Sequence, residues 1–285
     1  MTTRIDGKAI AWEIRERVAK QIAATYGGRA DDAPGLATVL VGRDPASAVY
    51  VGNKRRAVRE AGMRDLHRSL PQDATQEQVA AVLDELAADP RVSGILLQLP
   101  LPAGLDSAAL IDRIPAHKDV DGLTTLSAGL LARGTRGLRP CTPSGVIELL
   151  NAEGVQIAGA HAVVVGRSEL VGRPMAQLLL QRDATVTIAH IMTTDLAAVT
   201  RTADILVVAT GVPGLIGAEH VKPGATVIDV GITRTPDGLV GDVRADEVHG
   251  VAARLTPVPG GVGPMTIAML MVNTLRAAEW AAQPA

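Results

Sequence analysis

The stretch His161–Gln181, HAVVVGRSELVGRPMAQLLLQ, decides the fold. Its unbroken apolar run, Ala162 to Val165, is what a strand looks like when helices cover both faces of its sheet, and a glycine turn then opens directly into a helical pattern. Gly166 and Gly172 allow a close backbone approach, and Pro174 suits a first helical turn whose free amides point at an anion. This is the shape of a phosphate-binding turn. Gly166, Ser168 and Gly172 do not spell the usual G-x-G-x-x-G, so the turn must be weighed with the chain around it.

Upstream, Asp6 can cap a helix whose apolar positions Ile10, Ile14, Val18 and Ile22 recur every four residues. Leu36–Val41 reads as a strand, Gly42–Pro45 as a turn, and a helix from about Ala46 to Ala61 carries Tyr50 and Lys54. Another short strand is expected around Leu66. Thr75 and Gln78 form a capping box for a helix ending before Pro90, and GILLQL, from Gly94 to Leu99, is the next buried strand. The alternation implies a parallel sheet with right-handed crossovers. KDVDG, Lys118–Gly122, opens a small-residue stretch running to Arg139, where the domain boundary is expected.

Downstream, a helix is expected from near Pro143, and buried strands at Thr185–Ala189, Ile205–Ala209 and Thr226–Val230 extend the sheet begun at His161. Thr256–Thr266, TPVPGGVGPMT, carries too many Gly and Pro for regular structure, and an amphipathic helix closes the chain. The reading is an α/β protein of two doubly wound parallel-sheet domains with a cleft between them, the second Rossmann-like: residues 1–122 with 265–285, and residues 123–264.

Composition bounds the function. The chain has 285 residues, 47% of them apolar, and its 28 basic and 30 acidic side chains leave a net charge of −2. That near balance gives no electrostatic case for a nucleic-acid or anionic-membrane partner, and a small-molecule partner fits better. No apolar run reaches the roughly 18 residues of a membrane span. The lone Cys141 cannot form an internal disulfide, and Cys and His show no zinc spacing, so a soluble cytoplasmic protein without a bound metal is expected.

Tyr50 and Lys54 stand one helical turn apart on one face. Burial disfavours an ammonium, so a lysine held in such a place can act as acid or base near neutral pH; a solvated lysine beside a core tyrosine is the plainer alternative. Tyr-x-x-x-Lys also occurs in short-chain dehydrogenases, but there the glycine turn precedes the pair, whereas here it lies far downstream, so that reading fails. Gln98 interrupts an apolar strand at its carboxyl end, where open α/β sheets bind ligands; it is either hydrogen-bonded to something polar or faces water from an edge strand. Asp119 and Asp121 lack the other ligands of a calcium loop, and Asp-Gly alone is a common turn.

Taken in order, YVGNK, GILLQLPLP, KDVDG, PCTPSG, VVVGRSELVGRPM, VIDVGI and TPVPGGVGPMT resemble the motif set of the bifunctional methylenetetrahydrofolate dehydrogenase/cyclohydrolases over nearly the whole chain. The resemblance implies a folate-binding catalytic domain, an NADP-binding domain and an active site in the cleft between them. It implies oxidation of 5,10-methylenetetrahydrofolate with NADP, followed by hydrolysis of the methenyl product to the 10-formyl compound. It further implies that Lys54 is the acid/base of the hydrolysis, held by Gln98, that Tyr50 stacks on the folate, and that Asp121 accepts hydrogen bonds from the pterin. Gly166, Arg167 and Ser168 would line the dinucleotide phosphates and ribose, and Ile232 would sit near the nicotinamide.

Two departures matter. Ile191 stands where the family commonly has a serine that helps hold the 2′-phosphate of NADP, and an isoleucine cannot donate a hydrogen bond. The acid that would grip the 2′-hydroxyl of NAD is also missing there and Arg167 remains, so NADP is favoured with NAD possible. Leu123 and Ser127 replace the usual aromatic and Asn of the KDVDG loop. The family usually dimerises through the nucleotide domain, and a homodimer is expected here. The alternatives are a dehydrogenase that leaves hydrolysis to another protein, and a folate- or nucleotide-binding protein without turnover.

Overall fold

The computed structural model describes residues 1–27, 29–236 and 238–283. The last two residues of the expected segment 265–285 therefore lie outside it. The chain divides into two compact units, Met1–Ala11 with Thr142–Thr266, and Trp12–Cys141 with Ile267–Ala285. Relative to the expected segments, residues 1–11 pack with the unit that holds the glycine turn, because Thr3–Arg4 adds an edge strand beside Arg254–Leu255. Residues 123–141 pack with the other unit.

In the unit that carries Lys54, the strand Gly35–Val41 is central. It pairs in parallel with Arg64–Asp65 and Arg68–Leu70 on one side and with Gly94–Leu97 on the other. Side chains alternate along a strand, and the two faces are covered separately. Ala37, Val39, Ile95 and Leu97 face a core with Val79, Leu83 and Leu86 of the helix Gln76–Ala88. Leu36 and Leu96 face the opposite core, with Val18 and Ile22 of the helix Gly7–Tyr26, Ala57 and Val58 of the helix Pro45–Glu60, and Met269 to Met271 of the helix Val262–Ala281. The expected caps form: Asp6 accepts from the amides of Lys8 and Ala9, and the Thr75–Gln78 box closes in both directions.

The other unit holds a six-stranded parallel sheet in the order Thr3–Arg4, Arg254–Leu255, Thr226–Asp229, Ile205–Val208, His161–Val165, Thr185–Ala189. The strand after the glycine turn, Thr185–Ala189, lies on one side of His161–Val165, and the next, Ile205–Val208, on the other. The strand order therefore reverses beside the glycine turn, where an open α/β sheet binds its ligand.

Two expectations change. The closing helix begins at Val262, so the end of TPVPGGVGPMT is helical, with Pro264 in its first turn where no amide partner is lost. The small-residue stretch after KDVDG contains the helix Thr125–Ala132, capped by the Thr124 side chain accepting from the Ser127 amide.

The glycines of the turn are demanded by protein backbone. Gly166 has φ +119°, and a Cβ there would lie 2.2 Å from the Ala209 carbonyl oxygen; a Cβ on Gly172 would lie 2.2 Å from the Gly166 carbonyl oxygen. Gly172→Ala should therefore destabilise the chain by about 2 kcal/mol, the scale of forced overpacking. Urea unfolding should show a lower midpoint at an unchanged slope; an unmoved midpoint would contradict the packing described.

Candidate functional site

Asp44 caps the helix Pro45–Glu60 by accepting from the Ser47 amide at 2.7 Å, and Pro45 opens it. The cap fixes where Tyr50 and Lys54 emerge. Lys54 is buried, with 8% of its surface exposed, whereas Tyr50 is 41% exposed one turn earlier. Gln98 follows the strand Gly94–Leu97 and shares the face of Leu96, the face this helix covers. Its side-chain oxygen accepts a hydrogen bond from Lys54 Nζ at 3.1 Å, while its amide nitrogen donates to the Leu99 carbonyl at 2.5 Å. Both ends of the Gln98 amide are used, so the oxygen is locked toward the lysine.

Asp121 joins this pair. Burial pushes its carboxyl above the usual carboxylate range, the positive charge of Lys54 pulls it back down, and Asp119 pushes it up again. The Cys141 thiol donates to the Val120 carbonyl at 3.1 Å; burial and the nearby Asp121 carboxylate hold that thiol well above its ordinary range. Asp119 shapes the loop: its carboxylate accepts from the amides of Gly122, Leu123 and Thr124 at 2.9, 3.2 and 2.8 Å. Lys118 is structural, donating to the Ala87 and Asp89 carbonyls at the end of the helix Gln76–Ala88.

In the other unit, Gly166, Arg167 and Ser168 follow the His161–Val165 strand. The Ser168 hydroxyl oxygen accepts from the amides of Val171 and Gly172 at 3.2 and 3.4 Å, starting the helix Gly172–Leu180, while Arg167 is exposed with no partner among the described residues. Ile191, in the loop after Thr185–Ala189, is 94% exposed, and Ile232, after Thr226–Asp229, is 44% exposed. These five residues lie around the carboxyl ends of neighbouring strands of one sheet, as a dinucleotide site requires. The first acid after Thr185–Ala189 is Asp195, one oxygen of which caps the helix Leu196–Thr200 by accepting from the Ala198 amide. An unpartnered arginine without a facing acid suits a 2′-phosphate and offers the ribose of NAD no carboxylate.

Residues 5–121 match the catalytic domain of the tetrahydrofolate dehydrogenase/cyclohydrolase family, and residues 140–282 match its NAD(P)-binding domain. The chain belongs to that family. A curated relative from Frankia casuarinae, named bifunctional protein FolD 2, is 68% identical over 96% of this chain and 95% of its own. The structure of a bifunctional FolD methylenetetrahydrofolate dehydrogenase/cyclohydrolase from Campylobacter jejuni superposes with TM-score 0.95 at 42% identity, covering 99% of this chain and all of that one. A Trypanosoma brucei FolD structure in complex with NADP and an inhibitor superposes with TM-score 0.93 at 39% identity, covering 99% of both chains.

Three groups of this FolD family member were not singled out by sequence. Asn273, on the closing helix, is buried and donates from Nδ2 to the Val120 and Arg139 carbonyls at 2.9 and 2.8 Å, tying down the loop that carries Asp121. The signal was a single Asn inside the apolar run MLMVNTL. Asp229 and Asp242 are the other two, each buried at the carboxyl edge of the six-stranded sheet. Asp229 accepts from the amides of Gly231, Asp242 and Val243. Even so, burial and the neighbouring Asp242 raise its pKa to about 6.

With its folded value above the unfolded one, Asp229 keeps a proton in the folded chain that the unfolded chain releases between about pH 4 and 6. Its favourable contribution is present below that window and lost as pH rises through it, a swing of up to about 3 kcal/mol. Asp229→Asn cannot titrate. On lowering the pH from 7 to 4.5, the unfolding free energy of wild type should rise relative to that of the variant, read by urea melts; a gap independent of pH would refute the assignment.

Proposed function

We propose that Lys54 is the acid/base of the hydrolytic step, positioned by Gln98, that Tyr50 stacks on the folate ring, and that Asp121 accepts hydrogen bonds from the pterin. The chain oxidises 5,10-methylenetetrahydrofolate to 5,10-methenyltetrahydrofolate with NADP, and hydrolyses the methenyl product to 10-formyltetrahydrofolate. Bound NADP supplies the hydride acceptor. Loss of hydride from the methylene carbon leaves a methenyl cation whose charge the two flanking folate nitrogens share, so the step needs positioning and exclusion of water more than a strong base. Hydrolysis does need proton transfer, for attack by water and for ring opening, and a buried lysine with a fixed partner suits that task.

The observation that carries this reading is the Lys54 Nζ to Gln98 Oε1 hydrogen bond of 3.1 Å beside Asp121. It fixes the ammonium where a carboxylate also converges, an arrangement a binding module has no need of. For the nucleotide, we assign Gly166, Arg167 and Ser168 to the phosphates and ribose, Ile191 to the 2′-phosphate corner, and Ile232 to the nicotinamide end. The unit holding Lys54 is then the folate-binding catalytic domain, and the unit holding the glycine turn the NADP-binding one. A homodimer formed through the latter fits its outermost strand Thr185–Ala189, which pairs on one side only and exposes Ile188. A cytoplasmic setting fits the free Cys141 thiol, and no helix among the described residues is long and apolar enough to cross a membrane. Sedimentation velocity and cell fractionation test these two assignments; a monomer or a membrane-bound pool would refute them.

Lys54→Ala should fold and bind NADP as wild type does while methenyl hydrolysis falls by about 10²- to 10⁴-fold, the usual worth of a positioned acid/base. Loss of methenyl absorbance measures the hydrolysis and calorimetric titration the nucleotide. A normal hydrolysis rate would remove Lys54 from the mechanism.

A further inference from the structure

We propose that Asp242 is a positioning residue for the dehydrogenase reaction, a buried latch that fixes the loops Thr210–Gly211 and Gly231–Ile232 for the nicotinamide half of NADP. The proposal rests on the assignment of Ile232 to the nicotinamide end. Strand order supports that assignment. The sheet's order reverses between His161–Val165 and Ile205–Val208, and a dinucleotide lies across such a point with one half over each side. Thr185–Ala189 and its loop lie on the adenosine side, whereas Thr210–Gly211 follows Ile205–Val208 and Gly231–Ile232 follows Thr226–Asp229, the two strands of the other side.

Asp242 comes from neither loop and touches both, bonding the first through its side chain and packing its carboxyl against Gly231 of the second. Its Oδ2 accepts three hydrogen bonds, from the Thr210 amide at 2.7 Å, the Thr210 hydroxyl at 2.9 Å and the Gly211 amide at 2.9 Å. Its own amide donates to Asp229 Oδ1 at 3.0 Å, and the same oxygen accepts from the Gly231 amide at 2.9 Å. The fit leaves no room: a Cβ on Gly231 would stand 2.2 Å from the Asp242 carboxyl, and one on Gly241 would stand 1.9 Å from Asp229 Oδ2. Asp242 is fully buried, its Oδ1 has no hydrogen-bond partner among the described residues, and a second buried carboxylate faces it.

Two close buried carboxylates are a poor way to stabilise a fold, because each must be desolvated and they repel. What they supply is direction. Backbone amides at the ends of parallel strands have no ladder partner; the Asp242 carboxylate gathers three donors of the Thr210–Gly211 loop and packs against Gly231, whose amide Asp229 holds, so the pair of acids sets both loops together. The elements packed around the pair contribute Thr210, Thr256 and backbone groups, and among the described residues no cation is bonded to either acid. The latch therefore depends on hydrogen-bond geometry rather than on an ion pair.

The test compares Asp242→Ala with Asp242→Asn by calorimetric titration of NADP and of 2′,5′-ADP, which carries the adenosine half alone, and by both enzyme activities. Asn can present its oxygen to the three donors and its NH₂ where Oδ1 has no partner, so it should restore what Ala removes. In Asp242→Ala we expect NADP binding weaker by about tenfold, equivalent to about 1.4 kcal/mol. The dehydrogenase kcat should drop with it, while 2′,5′-ADP binding and methenyl hydrolysis, which uses no nucleotide, keep their wild-type values. Should Asp242→Ala fail to fold, Thr210→Val removes the hydroxyl's bond to Asp242, together with the acceptor of the Val212 amide in the same loop, and should shift NADP binding in the same direction by a smaller factor. Unchanged NADP binding, failure of Asn to rescue, or a parallel fall in hydrolysis would overturn the latch. Equal weakening of NADP and 2′,5′-ADP would instead overturn the nicotinamide assignment beneath it.

Discussion

A parallel sheet covered on both faces leaves one place for chemistry. Its side chains are consumed by packing, as Leu36 and Leu96 on one face and Ala37, Val39 and Ile95 on the other show. What remains is the carboxyl edge, where every strand ends in the same direction and every following loop begins with backbone groups that lack ladder partners. Both units obey this constraint. In one, the strand Gly94–Leu97 delivers Gln98 to Lys54; in the other, three successive strands deliver the glycine turn, Thr210 and Gly231.

The loops at that edge are held by buried polar side chains. Asp119 gathers three amides around the KDVDG turn, Asp229 three more, and Asp242 two amides and a hydroxyl. Asn273 performs the same service with opposite polarity, donating to two carbonyls. Each unmade bond of this kind would leave a buried group that costs about 1–3 kcal/mol, so the loops have few alternative conformations. The residues proposed to touch substrate are thus positioned by residues that do not.

Much of this was legible in the sequence because it rests on local or periodic signals. Apolar runs marked the strands, the Thr75–Gln78 box and Asp6 marked helix starts, and the spacing of Tyr50 and Lys54 marked a shared helical face. The interruption of GILLQL by Gln98 signalled a polar partner, and that partner is Lys54. Other features stayed hidden because they depend on long-range contact. Asp229 and Asp242 sit in VIDVG and VGDV, runs that read as turn and strand punctuation, and nothing local says that two acids thirteen residues apart converge. The helical start at Val262 was missed because Gly263 and Pro264 read as breakers, although a proline in a first turn costs the helix no amide.

The glycine turn joins these two kinds of information. Its glycines invite a ligand explanation, yet at Gly166 and Gly172 the atoms that exclude a side chain belong to Ala209 and to the turn itself. Those glycines are required for the fold before any nucleotide binds, so their presence alone does not select a cofactor. Selection must lie in groups the fold does not need, and at this edge those are Arg167, which has no partner among the described residues, and Ile191, 94% exposed. The loop's acid, Asp195, is drawn to the start of the next helix, where one of its oxygens accepts from the Ala198 amide. The preference for a phosphorylated ribose follows from what this edge leaves available: one guanidinium without a partner among the described residues, and an acid drawn to the start of the next helix by its capping bond.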